Sequence, residues 1–159
     1  MPSKAMSRVV IDTNLIIAGR YRKSSAAAKV IDMCISRRLI AVFSSRTKDE
    51  NMNILEKVRP PADYLEKIRR FLSVSIYVPE PQTRVNICAD ASDNKYFETA
   101  IAGQAQCIIT SDRHLLEHDG YYGIRVMRPA DFLRRMDAKG DEKSPGQGGY
   151  DPHASWIVD

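Results

Sequence analysis

Cysteine is scarce in this chain and follows no ligand pattern. There are three, Cys34, Cys88 and Cys107. The odd number and the lack of any C-x-x-C pair argue against a disulfide framework and against a zinc knuckle. Cys34 and Cys107 fall in apolar periodic segments and read as small core residues, so a reducing, cytoplasmic setting is expected. Long apolar runs are missing as well. No stretch approaches the roughly 18 residues that span a bilayer. Lys4 and Arg8 precede an apolar stretch, but Asp12 and Asn14 interrupt it before it becomes the apolar core of a signal peptide. Nothing repeats internally. Extreme charge is absent too: the net charge is +4 and the pI about 9.0. That mild bias is compatible with a polyanionic partner without requiring one.

What remains is the profile of a globular domain. With 159 residues, 43% of them hydrophobic, the chain can bury one real core. Val9-Val10-Ile11 has the β-branched character of a buried parallel strand and ends abruptly in Asp12, Thr13 and Asn14. Cys107-Ile108-Ile109 is a second such run and ends in Thr110, Ser111 and Asp112. Between and after them, short strands are expected at 39–43, 75–78 and 124–127. Helices are expected from a Ser24 or Ser25 cap to about Arg38, over 47–58, 62–73 and 90–104, and from Pro129 through Met136. Arg59-Pro60-Pro61 stops one of them. Residues 82–89 read as a connection and 111–116 as a turn. Alternating strands and helices imply an α/β fold with a mostly parallel central sheet and helices on both faces. The domain is expected over 1–136. From Asp137 the composition turns Gly-, Pro- and charge-rich, so 137–159 reads as a disordered-type tail.

In an open α/β sheet, ligands bind at the carboxyl ends of the strands, where Asp12 and Asp112 fall. Glu50 and Asp93 stand near helix starts. If these four acids converge, their repulsion in a partly buried pocket calls for protonation or a cation. Oxygen-only donors point to Mg²⁺ or Mn²⁺, with Asp12, Asp93 and Asp112 as ligands. Such ions serve phosphoryl chemistry. Each acid also has a plainer explanation. Asp12 can cap a turn, and Asp112 can form one. Glu50 is three residues after Thr47, a capping-box spacing, and Asp93 is a favourable first-turn charge. Asn14, Thr110 and Ser111 can orient the acids, and Asp90 either joins them or caps the helix. His114 and His118 have i,i+4 spacing but lack the H-E-x-x-H pattern. Arg20, Tyr21, Arg22 and Lys23 form a basic, aromatic-bearing loop suited to phosphate and base contact, or simply to solvation.

Taken in order, Val10-Ile11-Asp12-Thr13-Asn14, Glu50 within Asp49-Glu50-Asn51-Met52-Asn53-Ile54-Leu55, Asp90-Ala91-Ser92-Asp93-Asn94-Lys95, Ile109-Thr110-Ser111-Asp112-Arg113-His114-Leu115-Leu116 and Gly123 to Leu133 resemble a PIN domain, from about Arg8 to Arg135. Within that family the chain is similar to the VapC-like toxins of bacterial type II toxin–antitoxin pairs. The resemblance implies a three-layer α/β/α sandwich, a Mg²⁺- or Mn²⁺-dependent endoribonuclease, a homodimer and an antitoxin partner. It places Asp12, Glu50, Asp93 and Asp112 in the acidic positions, with Asn14 and Thr110 or Ser111 supporting them. Arg46-Thr47-Lys48 stand where the family has apolar residues, which leaves Asp49 as the alternative to Glu50.

Two other enzyme classes fit less well. A haloacid-dehalogenase-like phosphatase needs a second Asp two places after the nucleophile, where this chain has Asn14, and a receiver domain needs an acidic pair that Arg8-Val9-Val10 does not supply. A non-catalytic PIN-like RNA-binding or scaffold protein is the remaining alternative.

Overall fold

The computed structural model describes residues 7–18 and 24–142, with side chains through 138. Five strands, β1 (Arg8–Ile11), β2 (Ile40–Phe43), β3 (Ile76–Tyr77), β4 (Cys107–Ile109) and β5 (Arg125–Met127), form one sheet in the order β3-β2-β1-β4-β5. Every pairing is parallel. Among the described residues the helices are α1 (Thr13–Ala18), α2 (Ala26–Ile35), α3 (Ser45–Val58), α4 (Ala62–Ser73), α5 (Asn94–Gly103), α6 (Arg113–Leu116) and α7 (Pro129–Glu142). The result is a three-layer α/β/α sandwich.

The period-two alternation of a strand divides the core into two parts. Val9, Ile11, Ala41, Phe43, Cys107 and Ile109 face one layer, where they meet Leu15, Ile31, Ile68 and Phe132 of α1, α2, α4 and α7. Val10, Val42, Ile108 and Val126 face the other layer and meet Phe97 and Ala100 of α5 and Leu115 of α6. Both faces are buried, which explains why these strands read as continuous apolar runs.

Several boundaries differ from the sequence expectation for local reasons. Leu15-Ile16-Ile17-Ala18 continues as a helix, because Asp12 ends the strand and its carbonyl accepts from Leu15 N–H at 2.9 Å. Ser25 caps α2, which ends at Ile35 rather than near Arg38, with Arg37 left-handed at φ 66°. Helix α3 begins earlier than Thr47. Its capping box is Ser44 with Thr47, so Glu50 takes no part in one. A single 3₁₀ turn, Ala91–Asp93, precedes α5, and one turn of helix, α6, replaces the turn expected at 111–116. Helix α7 runs past Met136 to Glu142.

The connection between β3 and α5 is held by polar side chains of α5. Buried Asn94 accepts from Ile87 N–H at 3.1 Å and from Cys88 N–H at 3.0 Å through Oδ1. One helical turn on, buried Glu98 accepts from Val85 N–H at 3.0 Å. An i,i+4 pair on one helix face thus satisfies backbone groups that no strand partner reaches. Among the described residues no helix is long and apolar enough to cross a membrane.

Gly103 closes α5 against β2. A Cβ there would lie 2.3 Å from Val42 Cγ1, and Val42 is buried. Gly103→Ala is therefore expected to destabilise the fold by about 1–3 kcal/mol in urea denaturation despite alanine's better helix propensity. Adding Val42→Ala should remove most of the specific penalty at Gly103. A Gly103→Ala chain as stable as the parent would show that this contact relaxes freely.

Candidate active site

The acids gather at the carboxyl edge of the sheet, where β1 has β2 on one side and β4 on the other. At this point strand order reverses and a crevice opens. Asp12 continues the β1–β4 ladder, its N–H donating to Ile109 carbonyl at 3.0 Å. The residue is only 3% exposed, yet its carboxylate is well supplied with donors. Thr110 Oγ1 donates to Oδ2 at 2.7 Å, Asn14 N–H donates to Oδ1 at 3.0 Å, and Tyr96 Oη lies 3.3 Å from Oδ1. Burying a carboxylate is costly unless its lone pairs are occupied in this way. The hydroxyl oxygen of Thr110 also accepts from Asp112 N–H at 3.0 Å. One side chain therefore joins the ends of both acid-bearing segments.

Asp112 itself caps α6, accepting from His114 N–H at 2.9 Å. Asp90 caps the 3₁₀ turn in the same manner through Ser92, and those hydrogen bonds hold its carboxyl below the usual range. Capping and proximity to the site coexist in both residues. Asp93 shows the proximity most directly. Burial, then the negative charges of Asp90 and Asp112, and more weakly Asp12, push its pKa up, while Lys95 opposes the shift. Cys88 feels the same field. Its thiol is pushed up to about 11 by burial first and then by Asp93, Asp112 and Asp90.

Glu50 reaches the site from α3. Its Oε2 lies 3.3 Å from Tyr96 Oη, and its Oε1 lies 2.5 Å from Lys95 Nζ. This geometry turns Glu50, rather than Asp49, toward Asp12. Lys95 is largely buried, donates to Ser92 carbonyl at 2.7 Å and lies 4.7 Å from the Tyr96 ring centroid. Tyr96 Oη stands among Asp12, Glu50 and Thr13, and accepts from Thr13 N–H at 3.4 Å. Burial and the Asp12 and Glu50 charges push its pKa up, so it stays a neutral proton donor.

Sequence reading missed Thr13, Cys88, Lys95 and Tyr96. Lys95 and Tyr96 directly follow Asp93-Asn94, but a lysine and a tyrosine in a first helical turn carry no signal of their own. Ser111 contributes its carbonyl, which accepts from Arg128, and among the described residues its hydroxyl makes no hydrogen bond to the acids. The histidines do not converge. His114 is exposed beside Glu117, and His118 meets the Phe97 ring edge-on. Arg20, Arg22 and Lys23 lie outside the described residues.

Among the described residues, no three His, Cys, Asp or Glu side chains form a group that could hold an ion by themselves. The donor chemistry nevertheless suits a hydrated divalent cation. The neighbours are carboxylates, Asp93 is raised by burial and then by the charges of Asp90 and Asp112, and Mg²⁺ commonly keeps several waters while using one or two protein carboxylates.

A doubly wound α/β domain with a carboxylate cleft at its switch point is the class defined by this fold and site. The chain belongs to the PIN domain family, whose model matches residues 8–114; members of that family are generally nucleases. It is 30% identical over 148 residues to the uncharacterized protein MJ1680 of Methanocaldococcus jannaschii, covering 84% of this chain and 94% of that one. In fold it is similar to a chain of VapBC2 from Rickettsia felis, solved bound to a DNA fragment from their promoter. The TM-score is 0.52 and the identity 12%, over 75% of this chain and 96% of that chain.

Two outcomes follow from the site geometry. Thr110→Val keeps shape but strips a donor from buried Asp12 and an acceptor from Asp112 N–H, so stability should fall by roughly 1–3 kcal/mol. A double-mutant cycle with Asp12→Asn should give a coupling well above experimental error, and additive losses would deny the link. For Asp93, a pKa raised on folding means that the folded chain holds its proton more tightly than the unfolded chain. Stability is then lost as pH climbs from the ordinary carboxylate range through the raised value. In metal-free buffer Asp93→Asn should melt above the parent at pH 7, and the gap should close in acid. An unchanged gap across that range would show that Asp93 does not respond to its neighbours.

Proposed function

We propose that this protein is an endoribonuclease that hydrolyses RNA phosphodiester bonds with the help of Mg²⁺ or Mn²⁺, and that it is the toxin of a type II toxin–antitoxin pair. The observation that carries the chemistry is the Asp12 carboxylate, buried at the strand-order reversal and held by Thr110, Asn14 and Tyr96, with Asp93 and Asp112 beside it. Asp12, Asp93 and Asp112 would hold the ion together with waters that complete its coordination. A divalent cation in such a place neutralises the carboxylates, acidifies a coordinated water and stabilises charge developing on phosphate oxygens.

The chain's own residues divide the remaining work. Thr110 sets the Asp12 rotamer and ties it to the start of α6. Tyr96 keeps its proton at Oη and offers it to Asp12 or Glu50, and Lys95 balances Glu50. Glu50 completes the acidic rim through its contact with Tyr96, and Asp90 stands near Asp93; with an ion held there, these residues would favour attack of a water on phosphorus in line with the ester oxygen that leaves as an alcohol.

Membership in the PIN family and the fold shared with a VapBC2 chain support the toxin role. On that reading the partners are RNA, an antitoxin protein and a second copy of the chain, in the cytoplasm. The basic stretch with Arg20, Arg22 and Lys23 would add RNA contacts.

Cleavage of one labelled RNA with Mn²⁺, run beside a circular-dichroism melt, tests the proposal. Asp12→Asn should lose activity by orders of magnitude while its melt stays intact, because shape is kept and a charged ligand is removed. Asp112→Asn should behave alike, and the double variant should be little worse than either single one. Mn²⁺ should raise the parent's melting temperature by linkage, and raise that of Asp12→Asn less. Substantial cleavage by Asp12→Asn would move the chemistry elsewhere. RNA binding without cleavage in any divalent ion would favour the non-catalytic, RNA-binding alternative.

A further inference from the structure

The acidic site repels the phosphates that it is proposed to cut, so cationic side chains must hold the RNA backbone nearby. Two clefts flank the site and differ in charge. The cleft between α3 and α5, about 640 Å³, is lined by Arg46, Lys57 and Lys95 against Asp49, Glu50 and Glu98, three charges of each sign. The cleft between β5 and α7, about 670 Å³, is lined by Arg125, Arg128, Arg134 and Arg135 against Asp119 and Asp131, and with Arg125 and Arg134 paired to those two acids Arg128 is left over as positive charge. Only the second offers a surplus to a polyanion.

Its position matters as much as its charge. Thr110 N–H donates to Met127 carbonyl at 2.9 Å, so the carboxyl end of β5 lies beside the end of β4. Arg128 follows directly, and its guanidinium donates to Ser111 carbonyl at 3.3 Å, one residue from Asp112. Arg128 is exposed and, among the described residues, forms no ion pair. Arg125 is committed to Asp119 at 2.9 Å, and exposed Arg134 pairs with Asp131. The floor is apolar, from Leu116, Val126 and Met127, which suits ribose and base faces. The cleft therefore starts at the acidic rim and runs off along the open edge of the sheet.

Resting on the ribonuclease reading, we propose that this β5–α7 cleft is the path of the single-stranded RNA on one side of the cut phosphate. Arg128 is its phosphate contact nearest the acids, and Arg134 is a contact farther out. The balanced α3–α5 cleft is not on that path.

Binding separates this proposal from the reading beneath it. A fluorescein-labelled single-stranded RNA is titrated by anisotropy into the Asp12→Asn chain, and into the same chain carrying Arg128→Gln, Arg134→Gln or Lys57→Gln, across a salt series. Each arginine variant should weaken binding on the order of threefold to tenfold and flatten the salt slope by about 0.7. Lys57→Gln should change neither. Melts confirm folding, and Arg134 serves as an independent probe on an exposed helix face should Arg128→Gln disturb the Ser111 turn. RNA binding that is insensitive to both arginines, or weakened by Lys57→Gln instead, overturns the cleft alone. A change in sedimentation mass on Arg134→Gln would mark the cleft as a contact between copies and would also overturn it. If the Asp12→Asn chain binds no RNA at low salt, the ribonuclease reading itself falls, and the cleft proposal falls with it.

Discussion

The hydrogen bond from Thr110 to Asp12 is the constraint around which the molecule is arranged. It spans the two central strands, occupies a lone pair of a carboxylate that is almost wholly buried, and leaves the same hydroxyl oxygen to receive Asp112 N–H. Without a donor at that point, the end of β1 could not carry an ionised side chain in the interior. The parallel register of Val9, Val10 and Ile11 with Cys107, Ile108 and Ile109 brings the donor and the acceptor together. Packing of the apolar residues on both faces holds that register.

A site built from like charges needs compensation, and the chain supplies part of it from α5. Lys95 pairs with Glu50, and Tyr96 places a neutral hydroxyl among Asp12, Glu50 and Thr13. The same helix anchors the preceding connection through Asn94 and Glu98. One element thus balances charge on the site side and satisfies backbone polar groups on another, while Phe97 and Ala100 join the core. Lys95 does not cancel the whole charge: burial and the negative charges of Asp90, Asp112 and Asp12 still push the pKa of Asp93 up. Nucleases of the PIN domain family, to which the chain belongs, typically use divalent metals.

Much of this was legible in the sequence. Each apolar β-branched run that ends in an acid marks a strand end, because a buried strand must stop where a charge appears. Helical spacing and the Pro60-Pro61 stop located the longer helices. Short elements were harder to read. Helix α1 hid because Leu15-Ile16-Ile17 is apolar whether it continues a strand or turns into a helix. The capping box of α3 was misplaced because Ser44 lies within the apolar context of β2, and only the observed bonds choose Ser44 with Thr47 over Thr47 with Glu50.

The sequence by itself determined the alternation of elements, the parallel sheet and the presence of carboxylates at two strand ends, since these follow from local periodicity and from the cost of burying charge. The tertiary structure alone decided which partners those carboxylates have. Thr110 is marked by the sequence as a residue that could orient the acids but is not matched there to Asp12, whereas Tyr96 and Lys95 lie far from Asp12 and Glu50 along the chain and nothing local in their residue types announces a contact. It also decided that Glu50 faces the site in place of Asp49, and that the arginines of β5 and α7 line one cleft. Hydrogen bonds and ion pairs act over a few ångströms, so they depend on strand register and helix rotation, which arise only when the whole core packs.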